Sequence, residues 1–205
     1  MDRELERRGH RFVRYADDCN VYVRSCRAGE RVLEGLRKLY DRLHLKVNEG
    51  KTAVAQATGR KFLGYELWRG AGDRIKCAVA RKALETFRRR IREMTRRSGG
   101  RSLPESAERL RAYMPGWKAY FQLAQTPTVF RKLDEWIRHR LRAMQLKHWR
   151  RGTTMYRQLR ALGASERDAR KVAANSRRWW RNSYLLLNRA MPIAYFDRLG
   201  VPRLS

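Results

Sequence analysis

An α+β fold, with short strands in the first 79 residues and helices through the rest, is predicted by three features of the 205-residue sequence. Early in the chain apolar residues alternate at every second position, and near residue 80 they change to three- and four-residue steps, the spacing of one helix face. The β-rich pieces before that change are separated by Asn-Glu-Gly, Thr-Gly and Arg-Gly-Ala-Gly turns. Hydrophobic residues make up 42% of the chain, enough to bury a core in one large or two small domains.

Residues 11–15 and 19–24 read as a hairpin, with Cys19, Val21 and Val23 on a buried face and Asn20, Tyr22 and Arg24 on the open one. The turn between them falls at Asp17-Asp18, a locally unfavourable choice. Tight hairpin turns favour Asn-Gly or Asp-Gly, and adjacent like charges repel. A divalent cation between the two carboxylates would reverse that balance. From Val32 the apolar positions Val32, Leu33, Leu36, Leu39, Tyr40 and Leu43 predict a helix over about 29–44, packed on the hairpin. LKVNEGKTAVAQA, KFLGYELWRG and DRIKCAVA then predict three or four more strands up to residue 79.

Beyond residue 80 a stripe of Leu84, Phe87, Ile91 and Met94 defines a helix whose other side is covered by Arg88, Arg89, Arg92 and Arg96. Gly99-Gly100 ends it. Ser102 and Glu105 form a capping box over a second stripe, Ala107, Leu110, Met114, Trp117 and Phe121, which Pro115 is expected to kink. Thr126-Pro127 starts a third helix along Val129, Phe130, Leu133, Trp136, Ile137, Leu141 and Met144, completing a three-helix bundle. Shorter helices follow, broken at Gly163, Asn175 and Pro192, with the aromatic-basic cluster RRWWRNSY at 177–184. The domain division is 1–79, 80–151 and 152–205.

Lys+Arg number 49 against 20 Asp+Glu, a formal charge of +29 that is far from that of an ordinary soluble enzyme and points to a polyanion. The charge is uneven: +7 over residues 1–80, +16 over 81–160 and +6 over 161–205. Arginine supplies 39 of the cations; its guanidinium both forks onto phosphate and stacks on bases, and a GC-rich genome would also raise its share. Cys19, Cys26 and Cys77 have no C-x-x-C spacing and neither staple the chain nor hold zinc as a set. The charged start has no apolar h-region and no run is long enough to span a membrane, so a cytoplasmic protein is expected. Aromatics scattered over several segments argue against a lipid-binding face.

Tyr15-Ala16-Asp17-Asp18 between two strands, a following helix, LKVNEGKT, KFLGYEL, and then three helices containing Gly116-Trp117 and Tyr120-Phe121 together resemble the reverse transcriptases encoded by group II introns. RRWWRNSYLLLN and AYFDRLGVPRLS look like the end of members that lack an endonuclease domain. The resemblance covers essentially the whole chain. It implies the second half of a polymerase palm in 1–79, a thumb or maturase helical bundle in 80–151, and a C-terminal helical segment that binds RNA or DNA in 152–205.

It further implies that Asp17 and Asp18 are catalytic, metal-binding carboxylates of a two-Mg²⁺ site that activates a primer 3′-hydroxyl and neutralises the pyrophosphate leaving group. Tyr15 falls near the growing end in the family, or is a strand aromatic of the core. Lys51 matches a lysine near the incoming nucleotide's phosphates. Phe62, Leu63 and Gly64 match the strand that grips the primer, with Gly64 either admitting a nucleic-acid backbone or weakening a core strand. Arg88, Arg89, Arg92, Lys118, Lys132 and Arg138 are the candidate phosphate contacts of the bundle. Arg177, Arg178 and Arg181 flank Trp179 and Trp180, which cannot both face one core, so one is a candidate for base stacking.

Palms need a further aspartate from an earlier strand and finger residues that hold the nucleotide, and Met1–His10 matches neither. Two of the three metal carboxylates are therefore expected. The expectation is a chain that does not polymerise alone, either a truncated or split gene product or a partial reading frame begun at Met1. Either it works with a separate chain supplying fingers and front palm, on template–primer duplex and intron RNA, or it is a non-catalytic maturase that stabilises folded intron RNA for splicing.

Overall fold

In the computed structural model, which describes residues 1–185 and 187–205, alternation produces a hairpin of β1 (Arg11–Tyr15) and β2 (Asp18–Tyr22). Leu186, inside RRWWRNSYLLLN, lies outside the described residues. The register runs from Arg11 opposite Tyr22 to Tyr15 opposite Asp18, so the turn is Ala16-Asp17 rather than Asp17-Asp18. Asp18 already belongs to the strand. Ala16 has φ 53°, the left-handed value that the first position of a II′ turn requires and that glycine adopts with less strain. Arg14 braces the bend: its Nη1 donates to the Ala16 carbonyl at 2.9 Å, while Nε and Nη2 engage the Asp2 carboxylate. Phe12, Cys19, Val21 and Val23 are half-buried, and Val13, Tyr15, Asp18 and Tyr22 are exposed on the opposite face.

Asp2 opens α1 (Asp2–Arg7), a helix that its charged sequence does not suggest; Glu4 accepts from Arg7 and Arg8 along it, and Leu5 is buried. α2 (Cys26–Arg42) begins ahead of its apolar stripe because the Ser25 hydroxyl caps it, accepting from the Ala28 amide at 3.2 Å. LKVNEGKTAVAQA forms no strand. The Lys51 and Thr52 amides turn back onto the Asn48 carbonyl, and Val54 settles on Gly29, where a Cβ would come within 2.6 Å of it. Met1–Arg60 makes one compact unit, in which Leu5 is the only fully buried side chain.

Lys61–Ser205 makes the other. β3 (Lys61–Phe62), β4 (Tyr65–Arg69) and β5 (Ile75–Val79) form an antiparallel meander. Leu63 at φ 51° and Gly64 at φ 78° make a I′-type turn between the first two strands. The helices are α3 (Arg81–Met94), α4 (Leu103–Tyr120), α5 (Pro127–Trp149), α6 (Gly152–Ala161), α7 (Glu166–Ala174), α8 (Trp179–Leu185) and α9 (Ile193–Arg198). All three breaks foreseen in the tail occur. The Ser102–Glu105 capping box is formed, and α4 continues through Pro115 to Tyr120 without ending there. Phe87, Ile91, Leu110, Met114, Leu133, Ile137 and Leu141, all on the foreseen stripes, are fully buried in one core.

The change of period at residue 80 does not bound this unit. Tyr65, Trp117, Phe121 and Phe87 form a continuous aromatic column, with ring centroids 4.2–5.2 Å apart, that joins the sheet to α3 and α4. Gln125 donates its amide to the Cys77 carbonyl at 2.7 Å and accepts the Cys77 amide at 3.3 Å, closing the β5 edge. Residues 152–205 do not stand apart either, since Met155, Leu159, Leu187, Met191, Phe196 and Leu204 share the same core.

One carboxylate fixes how the tail closes. Asp134, 6% exposed, accepts from the Leu204 amide at 3.0 Å and from the Ser205 amide and hydroxyl at 2.9 and 2.8 Å, with Arg138 at 3.4 Å. Asp134→Ala strands the buried Leu204 amide, the part-buried Ser205 amide and the buried Arg138 cation, so denaturant unfolding is expected to lose roughly 3–5 kcal/mol. A loss under about 1 kcal/mol would mean that the tail is not held by this residue.

Candidate nucleic-acid interface

α3 turns Phe87, Ile91 and Met94 inward, which leaves Arg88, Arg89 and Arg92 exposed on its outer side. Among the described residues none of the three has a carboxylate partner; the ion pairs on this helix are Arg81–Glu85 and Arg90–Glu93. The Arg92 guanidinium lies 5.6 Å from the Trp136 ring centre and that of Arg140 5.3 Å from it.

Arg140 ties α5 to the end of α3. Its Nε donates to the Thr95 hydroxyl at 2.7 Å and its Nη2 to the Thr95 and Arg92 carbonyls at 3.3 and 3.4 Å, a cation placed at the negative end of the α3 dipole. Burial foremost, then the charges of Arg97 and Arg92, push its pKa down to about 10, which leaves it charged at neutral pH. The three guanidiniums therefore repel, and a phosphate among them would relieve that repulsion.

The other expected phosphate contacts separate into two groups. Lys132, Arg177, Arg178 and Arg181 are exposed. Lys118 is exposed too, with Nζ 3.2 Å from the Arg203 carbonyl, so it also holds the tail. Arg138 is 2% exposed, lies 3.4 Å from Asp134 and 3.6 Å from Asp197, and cannot reach an RNA phosphate without unfolding its surroundings. The expectation of a phosphate contact there is overturned, because α9 and the tail cover that face of α5.

Trp179 and Trp180 diverge as their adjacency requires. Trp179 packs against the core with Lys147 Nζ 5.4 Å from its ring centre, while Trp180 is 43% exposed and lies on the His139 imidazole. Trp117 and Phe121 belong to the aromatic column, Tyr120 is exposed, and its hydroxyl donates to the Leu63 carbonyl at 3.0 Å. A Cβ on Gly64 would meet the Phe121 ring at 3.1 Å, so turn geometry and this contact together require the glycine. Leu63 caps that turn and Phe62 is half-buried beside it.

In the first unit Tyr15 and Asp18 face each other across the hairpin, Asp17 sits in the bend, and Lys51 is exposed in the turn after Asn48. Sequence reasoning passed over Arg97, His139, Arg140 and Tyr184. The four-residue step from Trp136 to Arg140 was a readable cation–π signal; the approach of Arg97 to His139 and Arg140 is a tertiary fact with no local signature.

Residues 1–67 match the family model of the reverse transcriptase (RNA-dependent DNA polymerase), and residues 84–163 match that of the group II intron maturase-specific domain. No curated protein matches the chain. Among the described residues no helix is long and apolar enough to cross a membrane.

Arg138→Gln separates the structural arginine from the surface ones. Thermal and denaturant unfolding should lose roughly 1–3 kcal/mol, with affinity for a structured RNA changed less than about twofold. A tenfold loss of affinity at unchanged stability would put that guanidinium on the RNA.

Proposed function

We propose that the chain, which belongs to the group II intron reverse transcriptase/maturase family, grips folded intron RNA and the template–primer duplex of RNA-templated DNA synthesis through the outer face of α3. The observation that carries the reading is Arg88, Arg89 and Arg92 exposed on one helix face with no carboxylate partner among the described residues. The deep, narrow major groove of an A-form helix keeps side chains from its bases, so a row of guanidiniums along the backbone suits it. Lys118 and Lys132, with Arg177, Arg178 and Arg181 around α8, extend the cationic surface. The protein works in the cytoplasm.

Asp17 and Asp18 are this chain's carboxylates for Mg²⁺. Both are exposed, and in a chain with 49 basic residues neither has an ion-pair partner among the described residues, which supports a cation as their intended neighbour. When bound, two Mg²⁺ ions supply activation of the primer hydroxyl and neutralisation of pyrophosphate. Among the described residues no group of three or more potential ligands gathers, so these two carboxylates do not make up a two-ion site by themselves and no catalytic step is assigned to them alone. Tyr15 and Lys51 act beside them on primer end and nucleotide phosphates, and Phe62, Leu63 and Gly64 on the primer strand. The exposed Val13, Tyr15 and Tyr22 face suits a further palm segment. The same two-carboxylate set favours a second reading, a splicing cofactor that stabilises RNA without polymerising.

Counterion release gives the test. With about six phosphate contacts, affinity should fall by roughly three decades between about 50 and 200 mM salt. Changing Arg88, Arg89 and Arg92 together to Glu should flatten the log–log slope by about three contacts' worth. A slope that does not move would put the RNA on another surface.

A further inference from the structure

Next to the α3 face, where α8 lies on α5, the structure carries an aromatic arrangement that packing alone does not explain. The His139 ring of α5 stacks on Trp180, centroids 3.7 Å apart and planes at 33°, and its Nε2 is 2.8 Å from the Trp180 carbonyl. Tyr184, one helical turn further along α8, has its ring 5.4 Å from the same imidazole. His139 thus fixes both rings from below. Yet Trp180 is 43% exposed and Tyr184 64%, whereas the neighbouring Trp179 packs against the core. Two large rings held in place and left in water cost hydrophobic free energy that burial would have recovered.

The charge around the rings is of one sign. Arg142, Arg140 and Arg97 all act on His139, and Arg97 and Arg92 on Arg140, with no carboxylate among these influences. Burial, and these cations, hold His139 below its ordinary pKa and hence neutral near pH 7, where its Nε2–H can donate to the Trp180 carbonyl. Arg97 is exposed, and among the described residues it has no ion pair.

We propose that Trp180 and Tyr184, seated on His139, form a shelf for one unpaired nucleobase of bound RNA, with the flanking phosphate held on the Arg97 side. Inside a duplex both faces of a base are covered by its neighbours, so a ring can stack only on a base that has left the helix, at a bulge, loop or strand end. The α3 arginines take duplex backbone irrespective of sequence; the shelf selects where along a folded RNA the protein stops. This inference rests on the RNA-binding reading above and deepens it.

Two synthetic RNAs separate the two ideas: a perfect duplex, and the same duplex with one bulged 2-aminopurine, whose fluorescence is quenched on stacking. The full chain should bind the bulged RNA roughly 5- to 100-fold more tightly than the perfect one, with quenching beyond that of the RNA alone. Trp180→Ala should abolish the preference and the quenching while the perfect duplex binds as before, and Trp180→Phe should keep much of both. Tyr184→Ala removes a ring that is mostly in solvent and carries the same test should Trp180→Ala fail to fold. Equal binding of the two RNAs, or a preference that survives Tyr184→Ala and Trp180→Ala, would overturn the shelf and leave the α3 reading intact. Failure to bind either RNA would overturn both.

Discussion

Three arginines that point inward from α5 tie the second unit together, and the placement of α3 with its outward arginines depends on one of them. Arg140 ties α5 to the end of α3 through Thr95. Arg142 donates to the Met191 carbonyl at 2.9 Å and lies 5.4 Å from the Phe196 ring, which fixes the segment leading into α9. Arg138, with Asp134, meets Asp197 and the last residues of the sequence. Burying guanidiniums is expensive unless carbonyls and carboxylates receive them, and each of these finds such partners. Arg138 does so incompletely, since among the described residues its Nε and Nη2 have no hydrogen-bond partner, so much of the burden of that corner falls on Asp134.

This arrangement divides one kind of residue into two jobs. In a chain of 39 arginines the inner ones work as cross-links between distant helices, and Arg88, Arg89 and Arg92 remain, among the described residues, without carboxylates on a helix whose opposite face is committed to the core. Because Arg140 grips the α3 terminus, the outer charges are presented on a rigid element, which lowers the entropy lost when phosphate binds. The first unit lacks such a frame. Its single buried side chain, Leu5, and its open hairpin face give Asp17 and Asp18 a thinner support.

The helical stripes were legible because they are local: Phe87, Ile91 and Met94, or Leu133, Ile137 and Leu141, announce a buried face by spacing alone. The capping box at Ser102 was legible for the same reason. The hairpin's existence was too, but its turn was displaced by one residue, because composition drew the bend to the acidic pair while pairing of Tyr15 with Asp18 put it at Ala16. LKVNEGKTAVAQA has strand-like content and no strand partner. Arg138 sits next to Ile137 in sequence and reads as a candidate phosphate contact; only residues some sixty to seventy positions later, Asp197 and Leu204, cover it. The break at residue 80 likewise marked a true change of secondary structure and not an edge of packing, which the aromatic column from Tyr65 to Phe87 crosses.

Arginine-selective chemical modification, read by mass spectrometry with and without a structured RNA, tests the division between inner and outer cations most directly. Arg88, Arg89, Arg92 and Arg97 should react in the isolated protein and become protected when RNA binds, whereas Arg138 and Arg142 should stay unreactive in both states. Reactive Arg138 and Arg142, or α3 arginines that RNA leaves unprotected, would contradict it.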